Sequence, residues 1–159
     1  TRRVAISAKV PVIEASDSQE AKDFMKLAFD LSEQYDTPVI FRTTTRLSHS
    51  QGMVELRERE ERDVIEYVKN PQKNVMVPAH AKLRHPIVEE NLRRLQEDSS
   101  DMDELNKMEM NDTSIGFITS GIAYQYVKEV MPEASVLKLG LLNPLPKKLI
   151  EDFASKVDR

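Results

Sequence analysis

The arrangement that most limits this chain is a helical pattern held between two short apolar runs, Pro11-Val12-Ile13 and Pro38-Val39-Ile40-Phe41. Runs this short, bounded by proline and polar residues, read as strands. Between them Ala21, Phe24, Met25, Ala28, Leu31 and Tyr35 recur at helical spacing and give one apolar face. Asp17 stands three residues before Glu20, where each side chain can satisfy an exposed amide at a helix start. Pro38 ends the helix by steering Thr37 away from helical geometry. Residues 114–157 repeat the alternation: a strand at Ile115-Gly116-Phe117-Ile118, a helix from about Gly121 to Met131, a strand at Val136-Leu137-Lys138-Leu139, and a helix from about Pro146. Two such strands joined by one helix are normally parallel with a right-handed crossover. The expected fold class is α/β. A two-stranded sheet is too small to stand well alone, so the unit opening at residue 114 reads as the start of a doubly wound domain whose remainder lies beyond Arg159. The chain opens without methionine and stops as a helix finishes, and both ends read as cuts within a larger enzyme.

Residues 50–113 differ in character. Charge-dense runs such as Glu55-Leu56-Arg57-Glu58-Arg59-Glu60-Glu61-Arg62-Asp63 suit a linker or surface excursion, and their interleaved signs make a solvated, self-compensating charge run. One helix is expected there, with Pro86 in its first turn and Val88, Leu92 and Leu95 on one side. The stretch Asp98-Ser99-Ser100-Asp101 reads as mobile, and Met102, Met108 and Met110 as loose packing against nearby surface.

Composition removes whole classes of chemistry. With no cysteine, disulfides, thiolate metal sites and iron–sulfur ligation are excluded from these residues, and a reducing, cytoplasmic setting is expected. A formal net charge of −4 argues against nucleic acid as a partner, because phosphate neutralisation needs a dense basic surface. No apolar run approaches the roughly 20 residues that cross a bilayer, so no membrane association is expected. His49, His80 and His85 show no metal-ligand spacing, and no metal is assigned.

The stretch most able to carry chemistry is Arg42-Thr43-Thr44-Thr45-Arg46-Leu47-Ser48-His49-Ser50, directly after a strand. Ligands of open α/β sheets bind beyond the carboxyl ends of strands, and arginine holds carboxylate or phosphate through paired hydrogen bonds. That points to an anionic ligand or a polar domain interface. A plainer reading is a strand end whose threonines favour extended backbone and whose arginines pair with the acidic linker. The turn Thr119-Ser120-Gly121 carries the same two readings, an anion site at a helix start or an ordinary capped turn.

Three blocks carry a family resemblance: Asp17-Ser18-Gln19-Glu20-Ala21-Lys22, the run from Pro38 to Ser50, and the run Ile115-Gly116-Phe117-Ile118-Thr119-Ser120-Gly121-Ile122-Ala123-Tyr124 continuing to Val130. From about Asp17 to Ala154 the chain resembles the α subunits of indolepyruvate:ferredoxin oxidoreductases, within the thiamine-diphosphate-dependent 2-oxoacid:ferredoxin oxidoreductases. The resemblance implies that residues 1–49 end a pyrimidine-binding domain, residues 50–113 cross over, and residues 114–159 begin a transketolase-C-terminal-like domain. It implies a parent enzyme that decarboxylates aryl pyruvates, using thiamine diphosphate, Mg2+ and 4Fe-4S clusters, with coenzyme A, ferredoxin and a β subunit as partners. The glutamate that activates the thiamine aminopyrimidine belongs upstream and the Gly-Asp-Gly motif for Mg2+ and diphosphate downstream. No catalytic residue is therefore expected here, and the chain alone is expected to bind no cofactor and to be inactive. Arg42, Thr43, Thr44, Thr45, Arg46, Ser48 and His49 are candidates for positions beside substrate or cofactor, with Thr119, Ser120 and Gly121 as weaker anion-site candidates. The rival readings are a pyruvate or other 2-oxoacid enzyme of the same superfamily, and a non-catalytic interaction or assembly module.

Overall fold

A computed structural model describes residues 1–59, 61 and 63–159; Glu60 and Arg62, within the charged run, lie outside the described residues. The first expected unit is present. Strand β1 (Val12–Glu14) runs parallel to β2 (Ile40–Arg42), and helix α2 (Ser18–Gln34) joins them. Asp17 caps α2 by accepting from the Glu20 amide at 2.8 Å. Glu20 reaches back one residue further than a capping box requires, taking the Ser16 amide at 2.9 Å and its hydroxyl at 2.7 Å. Phe24, Ala28, Leu31 and Tyr35 are buried as the spacing required, whereas Met25 points outward. Ahead of this unit stands a short helix, α1 (Arg2–Ala8), that the sequence pattern does not announce.

The second unit is also parallel: β4 (Asp112–Ser120) and β5 (Ala134–Leu139) flank helix α6 (Ile122–Val130), and α7 (Lys147–Ser155) follows. Two strands missed in the sequence complete the sheets. β3 (Asn106–Glu109) pairs antiparallel with β5, giving the order β3-β5-β4. β6 (Leu141–Asn143) pairs antiparallel with β1, giving β2-β1-β6. Gly140 alone separates β5 from β6, so nearly one continuous strand serves both sheets. Its carbonyl accepts from the Glu14 amide at 2.9 Å and its amide donates to the Leu105 carbonyl at 2.8 Å.

Residues 50–113 supply helices, strand residues and part of the core. Short helices α3 (Thr45–His49) and α4 (Pro71–Asn74) precede α5 (Pro78–Asp98), and Leu95 and Leu105 enter the core formed by Ile13, Phe24, Leu31, Tyr35 and Leu141. Helix α5 opens at Pro78 rather than Pro86. Proline costs nothing in the first turn, where the amide has no partner, and Pro78 takes that place. Pro86 falls inside the helix, where it forfeits one ladder bond. The stripe of Val88, Leu92 and Leu95 does face inward, with Leu95 fully buried.

The stretch from Asp98 to Asp101 is held, not loose. It forms a 3-10 turn at Ser99–Asp101, Ser99 is buried, and the Tyr35 hydroxyl donates to Asp98 at 2.6 Å. Burial and that carboxylate both push the Tyr35 phenol up. Polar composition alone could not reveal these partners, which come from distant chain. Met102 and Met108 likewise pack against the two cores, while Met110 stays exposed.

Buried Asn106 ties the turn to the strand switch. Its Nδ2 donates to the Ser99 carbonyl at 2.8 Å, and its Oδ1 accepts from the amides of Gly140 and Leu141, each at 3.2 Å. Asn106→Ala leaves these buried groups unpaired and is expected to destabilise by about 2 kcal/mol. Urea denaturation would read this, and an unchanged midpoint would show that water replaces the amide.

Candidate functional site

The carboxyl ends of β1, β2 and β4 meet at one buried carboxylate. Glu14 closes β1 at 2% exposure and lies in register with Arg42, which closes β2. Cross-strand neighbours in register share a face, and the Arg42 Nη1 ion-pairs with Glu14 Oε1. From α1, Arg2 donates through Nε to Oε1 at 2.8 Å and through Nη2 to Oε2 at 2.5 Å. The same Nη2 reaches the Ser120 hydroxyl at 3.3 Å, bringing in the end of β4. Burial works to raise the Glu14 carboxyl, but the hydrogen bonds and charges of Arg2 and Arg42 outweigh it and hold it below the usual carboxylate range.

Gly121 completes the arrangement. Its φ of 55° lies in the left-handed region, and a Cβ there would stand 3.0 Å from Glu14 Oε2. Only glycine allows β4 to turn into α6 this close to the carboxylate. A cleft of about 420 Å³ opens beside it, lined in part by Arg3, Arg42, Thr44 and Ser120.

The threonine block is not the extended strand end of the plainer reading. Thr44 caps α3, accepting from the Leu47 amide at 3.3 Å, so Thr45 to His49 turn helical and bury Leu47. Capping by a hydroxyl at this position overrides the extended preference of threonine. Thr43 accepts from the Ser48 hydroxyl at 2.9 Å. Arg46 lies over the ring of Tyr126 at 5.5 Å, and His49 ends α3 exposed. The structure therefore gathers Arg42, Thr44 and Ser120 in the cleft lining, with Gly121 against Glu14 beside it. Thr43, Thr45, Arg46, Ser48, His49 and Thr119 stand outside its lining. Among the described residues, Arg42 pairs with Glu14 and Arg46 stacks on Tyr126, and neither pairs with the acidic run after residue 50.

Further ties bind the three sequence blocks to one another. Gln125 donates to Asp17 at 3.3 Å. Lys138, 5% exposed, ion-pairs with Glu20 and lies 4.8 Å above the Tyr124 ring. Glu14, Arg2 and Lys138 were not singled out from sequence. The available signal was a charged residue ending or interrupting an apolar strand run, as Glu14 follows Ile13 and Lys138 divides Leu137 from Leu139.

Residues 3–115 match the family model described as pyruvate flavodoxin/ferredoxin oxidoreductase, thiamine diphosphate-binding. The chain belongs to this family. Among curated relatives, the indolepyruvate oxidoreductase subunit IorA of Archaeoglobus fulgidus is 41% identical over 159 residues, covering 96% of this chain and 25% of the relative. Subunits of the same name from Pyrococcus horikoshii and Methanothermobacter marburgensis are each 38% identical, covering 100% and 99% of this chain and 26% of each relative. The chain thus spans about a quarter of the length of the relatives it matches.

For a member of a thiamine diphosphate-binding family, the donor set here is incomplete. Both Glu14 oxygens are taken by arginines, and among the described residues no group of three His, Asp or Glu side chains could hold a metal ion. The described residues thus offer no carboxylate or imidazole cluster for a Mg2+ ion. No helix among them is long and apolar enough to cross a membrane.

Proposed function

We propose that this chain is part of the α subunit of an oxidoreductase that oxidatively decarboxylates aryl pyruvates, indolepyruvate foremost, to acyl-coenzyme A with ferredoxin as electron acceptor. The observation carrying this reading is the match along nearly all of the chain to subunits named for indolepyruvate oxidation. In the parent reaction the bond to the carboxylate breaks and carbon dioxide leaves. The acyl group passes to the coenzyme A thiol, and electrons leave singly through 4Fe-4S clusters. Thiamine diphosphate supplies the carbanion chemistry; it, Mg2+ and the clusters are held by other parts of the parent subunit. The enzyme works in the cytoplasm, and this chain alone is inactive. Within it, residues 1–49 close the pyrimidine-binding domain, residues 50–113 cross over, and residues 114–159 open the transketolase-C-terminal-like domain.

Anaerobic dye reduction by the intact α subunit with its β partner tests the substrate. Indolepyruvate is expected to give the highest kcat/KM, and a wide preference for pyruvate or 2-oxoglutarate would overturn the assignment. In the same assay Arg42→Ala and Arg46→Ala are expected to lower kcat/KM by about tenfold or more. Arg57→Ala, whose exposed side chain pairs with nearby Glu55 at 3.2 Å, should leave it unchanged. Equal, negligible effects of all three would remove the threonine block from the working parts of the enzyme.

A further inference from the structure

The cleft beside Glu14 has a charge that its own carboxylate does not balance. Its lining includes Arg2, Arg3 and Arg42 against the single acid Glu14. Glu14 lies beneath the surface with its side chain 1% exposed, while Arg2 and Arg42 keep side-chain exposures of 51% and 29%. Arg2 spends Nε and Nη2 on Glu14, and Arg42 spends Nη1. The remaining guanidinium edge of Arg42 and the side chain of Arg3 are left to the cleft.

Neutral donors stand beside these cations. Thr44 already accepts a hydrogen bond from the Leu47 amide, which leaves its hydroxyl proton to be donated elsewhere. Ile122 and Ala123, the first residues of α6, also line the cleft, and α6 opens without a side-chain cap. Amides in a first helical turn have no partner inside the helix. Positive side chains, a hydroxyl and unpaired amides around one cavity of about 420 Å³ form a donor-rich surface with a net charge of about +2.

The geometry points to a binding site for a phosphate dianion in this cleft, held by Arg3, Arg42, Thr44 and the opening amides of α6. A phosphate group carries a charge of about −2 near neutral pH and presents several acceptor oxygens, which suits this donor set better than a carboxylate with one charge. Glu14 is then the built-in counterion that keeps Arg2 and Arg42 oriented before the ligand arrives. This inference concerns the chain's own residues and stands whichever 2-oxoacid the parent enzyme consumes.

Isothermal titration of the intact α subunit, with thiamine diphosphate and Mg2+ already saturating, separates this site from the cofactor site. Inorganic phosphate is expected to bind saturably and at least about tenfold tighter than acetate. Arg3→Glu reverses a charge on an exposed side chain that has no side-chain partner among the described residues, so it tests the field without removing a core contact; it should weaken phosphate by about tenfold or more. Arg42→Ala should do the same, and Arg57→Ala should leave binding unchanged. Competition by coenzyme A would name its phosphates as the natural source, and lack of competition would leave free phosphate. The proposal is overturned by non-saturable phosphate binding, by acetate binding as tightly as phosphate, or by an Arg3→Glu variant that binds phosphate as well as the parent protein.

Discussion

Gly140→Ala is expected to destabilise the chain by more than about 3 kcal/mol, the upper range for forcing extra volume into a packed site. A Cβ at this position would stand 2.2 Å from the backbone carbonyl oxygen of Leu105 and 2.9 Å from Cε2 of Phe24. The Phe24 ring can swing aside, but the carbonyl belongs to the backbone entering β3 and accepts the Gly140 amide itself. Relief requires moving the backbone, which loosens the hydrogen bonds to Leu105, Glu14 and Asn106 together. Chemical denaturation would show a lower midpoint, and circular dichroism would show whether both sheets weaken in one transition. A loss below about 1 kcal/mol would mean that β3 shifts freely, contrary to the tight strand switch described above.

Glu14→Gln is expected to cost about 3 kcal/mol at neutral pH, the low end for breaking a buried ion pair, because water still reaches Arg2 and Arg42. The amide keeps the shape but leaves two guanidinium groups without their counterion. The pH dependence separates charge from shape. The Glu14 carboxyl lies below its ordinary value of 4.5, so its contribution is complete above that value and is lost as pH falls through the lower folded value. The gap in stability between the parent and Glu14→Gln should therefore be widest near neutrality and narrow in acid. A gap independent of pH would assign the effect to packing rather than to charge.

Local patterns revealed some features and concealed others for definite physical reasons. The α2 face, its Asp17 cap and the parallel β4–β5 pair follow from spacing and turn chemistry that act over a few residues. β3 and β6 were hidden because each is three or four residues long and gains its meaning only from a distant partner. The threonine block misled in another way: β-branching favours strand, yet the Thr44 hydroxyl and burial of Leu47 favour a helical turn. Of the cleft and its edge, Arg42, Thr44 and Ser120 in the lining and Gly121 beside Glu14 were visible as polar or glycine residues after strands. Glu14 and Arg2 were not, because a carboxylate ending a strand and an arginine in an unforeseen helix become meaningful only once β1, α1 and β4 are brought together.

The strand that serves both sheets also sets an order of assembly during synthesis. Val12 finds its partner at Asn143, whereas its other neighbour, Ile40, emerges from the ribosome far earlier. The first sheet must wait with one flank of β1 open until β6 is translated, although the family match itself ends at residue 115. A nascent chain arrested at that residue would carry an unpaired β1 edge, a target for chaperones or for misplaced strands. Release of β6 would then close both sheets in one event, since Gly140 cannot seat β6 on β1 without also fixing the end of β5.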